Sequence, residues 1–220
     1  MGALPYKKQG TLSDGNPTGK EGYFRLCLCD TACFVLRKVF MKKLDFYYID
    51  LKYIRYLSRV DDNIMSISPQ QQKQTRPFLG IIVLLNKQKY CIPLTSPKKK
   101  FMDKKSQIDF IKIFDKSKKD ERGGYKLIGV LNINNMIPVT DSVIRKIDLV
   151  INEYDLQETK VYKQLMQKQL RWCRENADII YNRANKVYDL IINHPEQNRR
   201  LTARSSKFLQ LEVMSGKFKE

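Results

Sequence analysis

The stretch FLGIIVLL at residues 78–85 is followed, after a two-residue polar turn, by QKYCIPLT at residues 88–95. A continuous apolar run of this length predicts a buried β-strand. Because so short a turn separates the two stretches, the second is predicted to return beside the first as an antiparallel hairpin. Pro93 and Pro97 limit backbone pairing, which places the end of the second strand at a sheet edge or at a bulge.

Further strands and helices are predicted on both sides of this hairpin. Strand patterns occur at DFYYI (45–49), IDFIKIF (108–114), YKLIGVL (125–131) and a short MIPV segment (136–139). Helices are predicted over 51–60 with Asp50 as N-cap, over 159–174, and from Asn176 to Pro195, before a less regular basic tail at 198–211. Short connections between the strands favour an antiparallel sheet, so the predicted class is α+β with C-terminal helices.

The first forty residues differ in composition from the rest of the chain. Residues 1–22 are rich in glycine and proline and show no apolar period, which is typical of disorder. Met41 is a plausible natural start. Residues 1–40 are therefore interpreted as a disordered or non-native extension, and residues 41–220 as a single domain. The alternatives are a signal peptide, which charges inside the apolar stretch disfavour, and a helix over 23–40 that packs on the domain.

The chain is strongly basic, with 41 Lys and Arg against 23 Asp and Glu and a formal net charge of +18. Such a charge indicates an anionic partner, of which nucleic acid is the first candidate and an acidic membrane surface the second. No apolar run approaches the roughly 18 residues that span a bilayer, so no membrane segment is predicted. Five cysteines, an odd number, fit a reduced cytoplasmic setting better than a disulfide framework.

Several classes of catalytic site are not indicated by the sequence. It has no glycine-rich phosphate loop, and its one histidine, His194, excludes a nuclease that uses a histidine pair within one chain. Asp61 and Asp62 are interpreted as a solvated turn, and no tight cluster of acids indicates a two-metal site. Three cysteines within residues 27–33 lack the paired spacing of a zinc site. Neither a metal nor a small-molecule cofactor is predicted.

The sequence PLTSPKKK at residues 93–100 is the strongest candidate for a functional site. Two hydroxyl residues end an apolar strand, a proline fixes the exit, and three lysines follow directly. Hydroxyl and backbone N–H groups at a strand end donate to phosphate oxygens, and the first lysine can turn to the same side. The pattern predicts a phosphate site, with an ordinary solvated turn as the alternative. The residues concerned are Thr95, Ser96, Lys98, Lys99 and Lys100.

Two predicted helices carry basic side chains along one face. The cations are Lys52, Arg55 and Arg59 on the first helix, and Lys160, Lys163, Arg171 and Arg174 on the later one. On the later helix they lie opposite a predicted apolar face that contains Val161, Tyr162, Leu165, Met166, Trp172 and Cys173. Such stripes suit binding to an RNA backbone, and a solvated helix face is the alternative for each.

Five blocks of sequence resemble a known family. They are KYIRYL at 52–57, RPFLGIIV at 76–83, KYCIPLTSPKKKF at 89–101, LIGVLNINNMIPV at 127–139 and YKQLMQKQLRWCREN at 162–176. Together they resemble the ToxN/AbiQ family, the protein toxins of type III toxin–antitoxin systems. The resemblance implies a compact, twisted antiparallel barrel with helices, similar to the MazF/Kid toxins. It also implies a sequence-selective, metal-independent endoribonuclease, held by a repeat RNA antitoxin in a closed RNA–protein ring, that defends against phage by abortive infection.

The resemblance also implies which residues form the site. Thr95, Ser96 and Lys98 match the family's TSPK motif. Tyr53 matches a tyrosine near the cleft, and Arg76 stands where the family often has lysine. The expected catalytic residues are therefore Ser96, Lys98, Thr95, Arg76 and Tyr53.

Metal-free cleavage of RNA uses the 2′-hydroxyl of the substrate, which leaves a 2′,3′-cyclic phosphate and a 5′-hydroxyl. Lys98, helped by Arg76, is expected to stabilise the phosphorane. Thr95 and Ser96 are expected to position the phosphate, and Tyr53 or a lysine with a lowered pKa to carry protons. A non-catalytic RNA-binding module is the main alternative. A DNA-binding protein is the third hypothesis, although no helix-turn-helix signature supports it.

Overall fold

Seven β-strands form one antiparallel sheet in the computed structural model, which describes residues 44–64, 76–84, 86–103, 105 and 107–219. The strands are β1 (Asp45–Ile49), β2 (Phe78–Val83), β3 (Lys89–Thr95), β4 (Phe110–Lys119), β5 (Tyr125–Asn132), β6 (Ile137–Pro138) and β7 (Ile144–Lys146). Their order is β4-β5-β3-β2-β1-β7, with β6 paired to β3. The α+β class with an antiparallel sheet is confirmed. The segment 1–40, its cysteines included, lies outside the described residues.

The predicted hairpin of β2 and β3 lies in the middle of the sheet. The expectation of an edge at the end of β3 is wrong, because that end pairs with β2 on one side and with β5 on the other. Pro93 is accommodated by a change of partner. The N–H of Leu94 points towards β2, where it donates to the carbonyl of Pro77 at 3.0 Å. Pro93 therefore lacks its N–H on the opposite side, where the partner changes from β6 to β5. A register shift does occur in this hairpin, but it lies in β2 between Leu79 and Ile82 and not at the end of β3.

Six α-helices accompany the sheet within the described part of the chain. They are α1 (Leu51–Leu57), α2 (Lys99–Met102), α3 (Gln157–Glu175), α4 (Ala177–Ile192), α5 (Arg199–Ala203) and α6 (Phe208–Lys217). Short 3-10 turns cover Ile133–Asn135 and Asp141–Val143. Asp50 caps α1 as predicted, since its Oδ1 accepts from the backbone N–H groups of Lys52 and Tyr53. Asn176 precedes α4, but its side chain donates backwards to Trp172 instead of capping the helix.

The main core lies between the sheet and the helices α3 and α4. On α3 the buried residues are Met166, Gln169, Leu170 and Cys173, so Val161 and Tyr162, predicted on the core face, are exposed instead. Only the later turns of α3 pack against the sheet, which explains the difference. On α4 the buried positions Ile180, Ala184, Val187 and Ile191 keep the predicted helical spacing. Each large apolar side chain that is fully buried in this way contributes roughly 1.5–3 kcal/mol.

The basic tail is more regular than its sequence predicts. It forms α5 and α6, and α6 packs against β6, α1 and α4. Phe208 and Leu211 supply its buried residues. The tail also explains Asp61, for which a solvated turn is wrong. That carboxylate is buried and accepts from the backbone N–H groups of Asn63 and Lys207. No helix in the described ranges is long and apolar enough to cross a bilayer.

Candidate active site

A small pocket of about 280 Å³ lies at the end of β3. Thr95 ends β3, Arg76 precedes β2, Lys98 precedes α2, and Asn132 ends β5. The antiparallel pairing of β3 with β5 brings these segments together. We call this cavity the Thr95 pocket. The lining residues used below are Arg76, Thr95, Lys98, Asp109, Asn132, Asn134, Asn135 and Arg204.

Two donors hold the hydroxyl of Thr95. Arg76 Nη2 donates to Thr95 Oγ1 at 3.1 Å, and Asn132 Nδ2 donates to the same oxygen at 2.6 Å. Thr95 is only 6% exposed, so these bonds lie in a medium of lower dielectric than water. A hydroxyl oxygen accepts two hydrogen bonds and donates one. Since both acceptor positions are taken, the hydroxyl is left to donate its hydrogen, which is the polarity that a phosphate oxygen requires.

Two cationic residues line the pocket with this hydroxyl. Burial lowers the pKa of the Arg76 guanidinium from its ordinary value. Arginine nevertheless stays protonated in proteins, so the charge is kept. Lys98 is exposed and lines the same pocket. Two positive charges beside a directed hydroxyl make an arrangement that binds phosphate oxygens. The structure thus brings together three of the expected catalytic residues.

The other residues of the TSPKKK block follow Thr95 along the chain and lead into α2. Ser96 follows Thr95 directly and is exposed. Lys99 and Lys100 belong to α2, a short helix that begins directly after Lys98. The carbonyl of Lys98 accepts from the backbone N–H of Phe101 at 2.8 Å, which fixes the backbone where the strand passes into that helix.

The structure does not bring Tyr53 to the Thr95 pocket. Its side chain has no exposed surface, and its hydroxyl donates to the carbonyl of Pro138 at 2.7 Å. The ring packs edge-on against Phe218 at 5.0 Å between centroids. Burial raises the pKa of Tyr53 to about 12. These contacts belong to a second apolar cluster that joins α1 to α6, and they give Tyr53 a structural role.

The predicted RNA-binding cations are used in different ways. Lys52 and Arg55 are exposed on α1. On α3, Lys160 donates to the carbonyl of Glu153 at 2.8 Å. Lys163 donates to Asp155 Oδ2 at 2.8 Å and to the carbonyl of Val150 at 2.6 Å. Arg174 contacts the carbonyl of Leu44 at 2.8 Å and Asp45 Oδ1 at 2.6 Å. Three of the four predicted cations on α3 therefore bind the chain's own backbone or carboxylates.

A larger groove of about 910 Å³ runs beside α3, and Arg171 lines it. Its wall mixes charges of both signs, among them Asp45, Lys146, Arg174 and Glu175. Asp45 is already paired there with Lys146 at 2.7 Å and with Arg174 at 2.6 Å. Size alone would favour this groove, but charges that neutralise each other leave little field for an anion. The Thr95 pocket is therefore the better candidate for chemistry on phosphate.

The family described as Toxin ToxN, type III toxin-antitoxin system, matches residues 45–215. That range contains the whole sheet and every residue of the Thr95 pocket named above. The chain belongs to the ToxN family. The resemblance found in the sequence is confirmed, and so is the expectation, at the level of the family, of an endoribonuclease toxin.

Curated members of the ToxN family and a related toxin match most of the chain. Endoribonuclease ToxN of Pectobacterium atrosepticum is 29% identical over 150 residues, 68% of this chain and 82% of that protein. Endoribonuclease ToxN of Bacillus thuringiensis subsp. kurstaki is 36% identical over 143 residues, 65% of this chain and 66% of that protein. Endoribonuclease AbiQ of Lactococcus lactis subsp. lactis is 29% identical over 161 residues, 70% of this chain and 79% of that protein.

Solved structures of the same kind share the fold. One comes from a bacterial type III toxin–antitoxin system in which a non-coding RNA pseudoknot selectively inhibits the toxin. It matches with a TM-score of 0.63 and 30% identity, over 80% of this chain and 98% of that one. A structure of AbiQ, a lactococcal anti-phage endoribonuclease of a type III system, matches with a TM-score of 0.61 and 27% identity. It covers 79% of this chain and 96% of that one.

Sequence reasoning missed several residues of this ToxN pocket. Asp109, Asn132, Asn135 and Arg204 come from three distant segments, which only the folded sheet and tail bring together. The asparagine-rich run NINN at 132–135 was the one available signal. Among the described residues, those of the pocket included, no group of three or more histidine, cysteine or acidic residues is arranged to hold a metal ion.

Proposed function

We propose that this ToxN-family chain cuts RNA at the Thr95 pocket without a metal, using the substrate's own 2′-hydroxyl as nucleophile. One observation carries the proposal. The hydroxyl of Thr95 is held by Arg76 and Asn132 in a pocket that Lys98 also lines, so that a hydrogen-bond donor and two cations converge on one small cavity. A phosphodiester is the RNA group that needs this combination of charge and donors.

In the proposed reaction, the 2′-oxygen attacks the adjacent phosphorus and loses its proton. The bond from phosphorus to the 5′-oxygen breaks, and that oxygen takes up a proton, so the products are a 2′,3′-cyclic phosphate and a 5′-hydroxyl. Negative charge grows on the non-bridging phosphate oxygens during the attack. Lys98 and Arg76 stabilise this charge, and Thr95 donates its hydrogen to one of the oxygens.

Ser96 has a different part in the proposal. It is exposed beside Thr95, where its hydroxyl contacts the nucleotide that enters the pocket. Tyr53 is left out of the proton transfers because its hydroxyl is buried and already donates to Pro138. The proposed catalytic set is therefore Thr95, Ser96, Lys98 and Arg76.

We also propose that a repeat RNA antitoxin holds this toxin in a closed RNA–protein assembly. Release of the toxin from this assembly serves phage defence by abortive infection. The net charge of +18 supports an RNA partner, because each phosphate contact releases counterions and strengthens binding. Lys52 and Arg55 on α1 and Arg171 on α3 are exposed cations for its backbone. The proposed site of action is the cytoplasm, and the free thiols of Cys91 and Cys173 fit a reducing compartment.

Purified protein incubated with RNA oligonucleotides of mixed sequence in excess EDTA tests the proposal. We expect cleavage, with 2′,3′-cyclic phosphate and 5′-hydroxyl ends identified by mass spectrometry. The Lys98→Ala protein serves as the control for a contaminating nuclease. Products with 5′-phosphate ends, or activity that returns only with Mg²⁺, would overturn the mechanism. Tight binding without any cleavage would favour the non-catalytic RNA-binding module.

A further inference from the structure

Two buried oxygen atoms in the lining residues of the Thr95 pocket have no hydrogen-bond donor. They are Asp109 Oδ1 and Asn135 Oδ1, and no donor in the described part of the chain reaches either of them. Asp109 is only 5% exposed. Buried polar atoms in native proteins are nearly always paired, so an unpaired acceptor in the lining of a pocket calls for a partner from outside. We call Asp109 and Asn135 the acceptor wall.

The carboxylate of Asp109 is fixed in place by its other contacts. Its Oδ2 pairs with Arg204 Nε at 2.7 Å. Its backbone carbonyl accepts from the N–H groups of Ile133 and Asn134, at 2.8 and 3.2 Å. Asn134 Nδ2 in turn donates to the carbonyl of Arg204 at 2.7 Å. The ion pair occupies one carboxylate oxygen, so the other is kept as an acceptor.

The same contacts tie the two members of the acceptor wall to each other. Asn135 lies in the 3-10 turn at Ile133–Asn135, whose first two N–H groups bind the carbonyl of Asp109. In the sheet, Phe110 pairs with Asn132, so the start of β4 and the end of β5 run side by side. Two residues on adjoining segments, each with an unpaired acceptor, thus line one pocket together with Thr95, Arg76 and Lys98, the proposed phosphate-binding residues.

The donor that this wall requires is found on nucleobases. An exocyclic amino group offers two N–H donors, which matches two acceptors. A 2′-hydroxyl offers one hydrogen only. Adenine, cytosine and guanine carry such an amino group, whereas uracil has a single N3–H donor between two carbonyl oxygens that a carboxylate oxygen repels. The position of the wall in the Thr95 pocket assigns it to a nucleotide next to the phosphate that is cut.

We propose that Asp109 and Asn135 form a base-binding subsite that selects a nucleotide with an exocyclic amino group beside the cleaved bond. This rests on the proposed RNA cleavage. Asp109 and Asn135 determine sequence preference, and the charges at Lys98 and Arg76 act on the phosphate. Because the recognition uses a carboxylate, removal of the amino group slows cleavage by about 10- to 100-fold.

A set of short RNA substrates tests the subsite in the unaltered protein. At each position around the cleaved bond, one nucleoside is replaced by an analogue that lacks only the amino group: purine riboside for adenosine, inosine for guanosine, or zebularine for cytidine. Single-turnover cleavage rates are measured for every substrate. We expect one position at which loss of the amino group slows cleavage by about 10-fold or more. Equal rates at all positions would overturn the proposal.

Variants then connect that position to the acceptor wall. In Asp109→Asn, the oxygen of the new amide can still accept from Arg204, which leaves an NH₂ group where the free oxygen was. The preference for the amino-bearing base should vanish or invert. Asn135→Ala, which leaves the ion pair intact, should reduce the preference part-way. Asp115→Asn is the matched control, since Asp115 lies on β4 and pairs with one cation, Lys168, at 2.9 Å but does not line the pocket.

The outcomes separate this subsite from the proposed function. Binding of the same oligonucleotides with a 2′-deoxy residue at the cleaved bond is measured alongside the rates. If the protein discriminates in binding but never cuts, RNA cleavage is overturned and the subsite stands. If Asp109→Asn slows all substrates equally and keeps the wild-type preference, the subsite is overturned, because Asp109 then acts on a group common to every nucleotide. If Asp109→Asn does not fold, an unchanged preference in Asn135→Ala overturns the subsite and a reduced one supports it.

Discussion

Lysine and arginine residues occupy both the Thr95 pocket and the basic face of α3, but the two regions differ in what holds these residues. In the pocket, Lys98 is exposed and lines the cavity beside Thr95. On α3, Lys163 is held by Asp155 and Val150, and Arg174 by Asp45 and Leu44. A cation whose charge is offset inside the protein contributes little to an outside anion. The number of basic residues along a helix therefore overstates its capacity to bind RNA.

The difference has an energetic basis. Lys163 forms a largely shielded ion pair with Asp155, and its hydrogen bond to the carbonyl of Val150 contributes about 0.5–1.5 kcal/mol in addition. Before Lys163 could bind a phosphate, it would have to lose both its ion pair with Asp155 and its hydrogen bond to Val150. Lys98 offers its charge from an exposed position in the same lining as the two donors that hold Thr95. We therefore expect substitutions in the pocket to change catalysis and substitutions of Lys163 to change stability.

The largest effect is expected for Lys98→Ala. Removal of a group that stabilises developing charge should lower the cleavage rate by about 100- to 1,000-fold. The melting temperature should be unchanged, because the side chain is exposed. Single-turnover kinetics and thermal unfolding measure the two quantities, and toxicity in cells without the antitoxin RNA should be lost in parallel. Lys118→Ala, at an exposed position of β4, is the control. A fully toxic Lys98→Ala protein would remove Lys98 from the site.

The next largest effect is expected for Thr95→Val. Valine keeps the shape of threonine but removes the acceptor that Arg76 Nη2 and Asn132 Nδ2 share. Cleavage should fall by about 10- to 100-fold, and the free energy of unfolding by about 1–3 kcal/mol, since buried donors lose their partner. Thr95→Ser keeps the hydroxyl and should retain most of the activity. A Val variant that cuts as fast as the Ser variant would show that this hydroxyl takes no part in the reaction.

The strands were the most predictable part of the fold. The apolar stretches at 78–85 and 88–95 define their hairpin without help from distant residues, because periodicity and a short turn are local properties. The central position of β3 was not predictable in that way. It depends on β5 and β6, which pair with successive parts of the same strand edge. The helices in the tail were missed because residues 198–207 are rich in basic side chains, and the apolar residues that form α6, Phe208 and Leu211 among them, begin only after that run.

The candidate site was predictable only in part, for a similar reason. Thr95 and Lys98 lie in one short block of sequence, and Arg76 follows from the family resemblance. Asp109 and Arg204 could not be paired from the sequence, since nothing local relates the start of β4 to the tail. Tyr53 is expected near the cleft from the family resemblance alone, and the sequence of α1 does not tell which partners a buried aromatic side chain contacts. Its hydrogen bond to Pro138 depends on tertiary structure.

A smaller effect is expected on α3, where the loss of Lys163 should lower stability and the loss of Arg171 should weaken RNA binding. Lys163→Ala removes an ion pair and a hydrogen bond to a backbone carbonyl, so the melting temperature should fall by about 2–4 °C. Its affinity for the antitoxin RNA should hardly change. Arg171→Ala should leave the melting temperature unchanged and weaken RNA binding several-fold, with a shallower dependence on salt. Equal losses of RNA affinity in both variants would show that Lys163 binds RNA despite its contacts with Asp155 and Val150.

The smallest effect is a dependence on pH that separates the two contacts of Lys163. The side-chain hydrogen bond from Lys163, followed by the backbone N–H of Asn152, lowers the pKa of Asp155 below its ordinary value. A carboxylate whose pKa is lowered by folding stabilises the protein above the pKa of the unfolded chain, about 3.9, and loses this contribution as the pH falls through the folded value.

Lys163→Ala removes the largest cause of the shift in the pKa of Asp155. The difference in unfolding free energy between wild type and Lys163→Ala should therefore be constant from pH 7 to pH 5 and shrink towards pH 3. Urea denaturation at the three pH values measures it, with Arg171→Ala as a control whose difference from wild type stays flat. The bond from Lys163 to the carbonyl of Val150 does not depend on the titration of Asp155. A difference that persists unchanged to pH 3 would assign the role of Lys163 to that carbonyl and not to the ion pair.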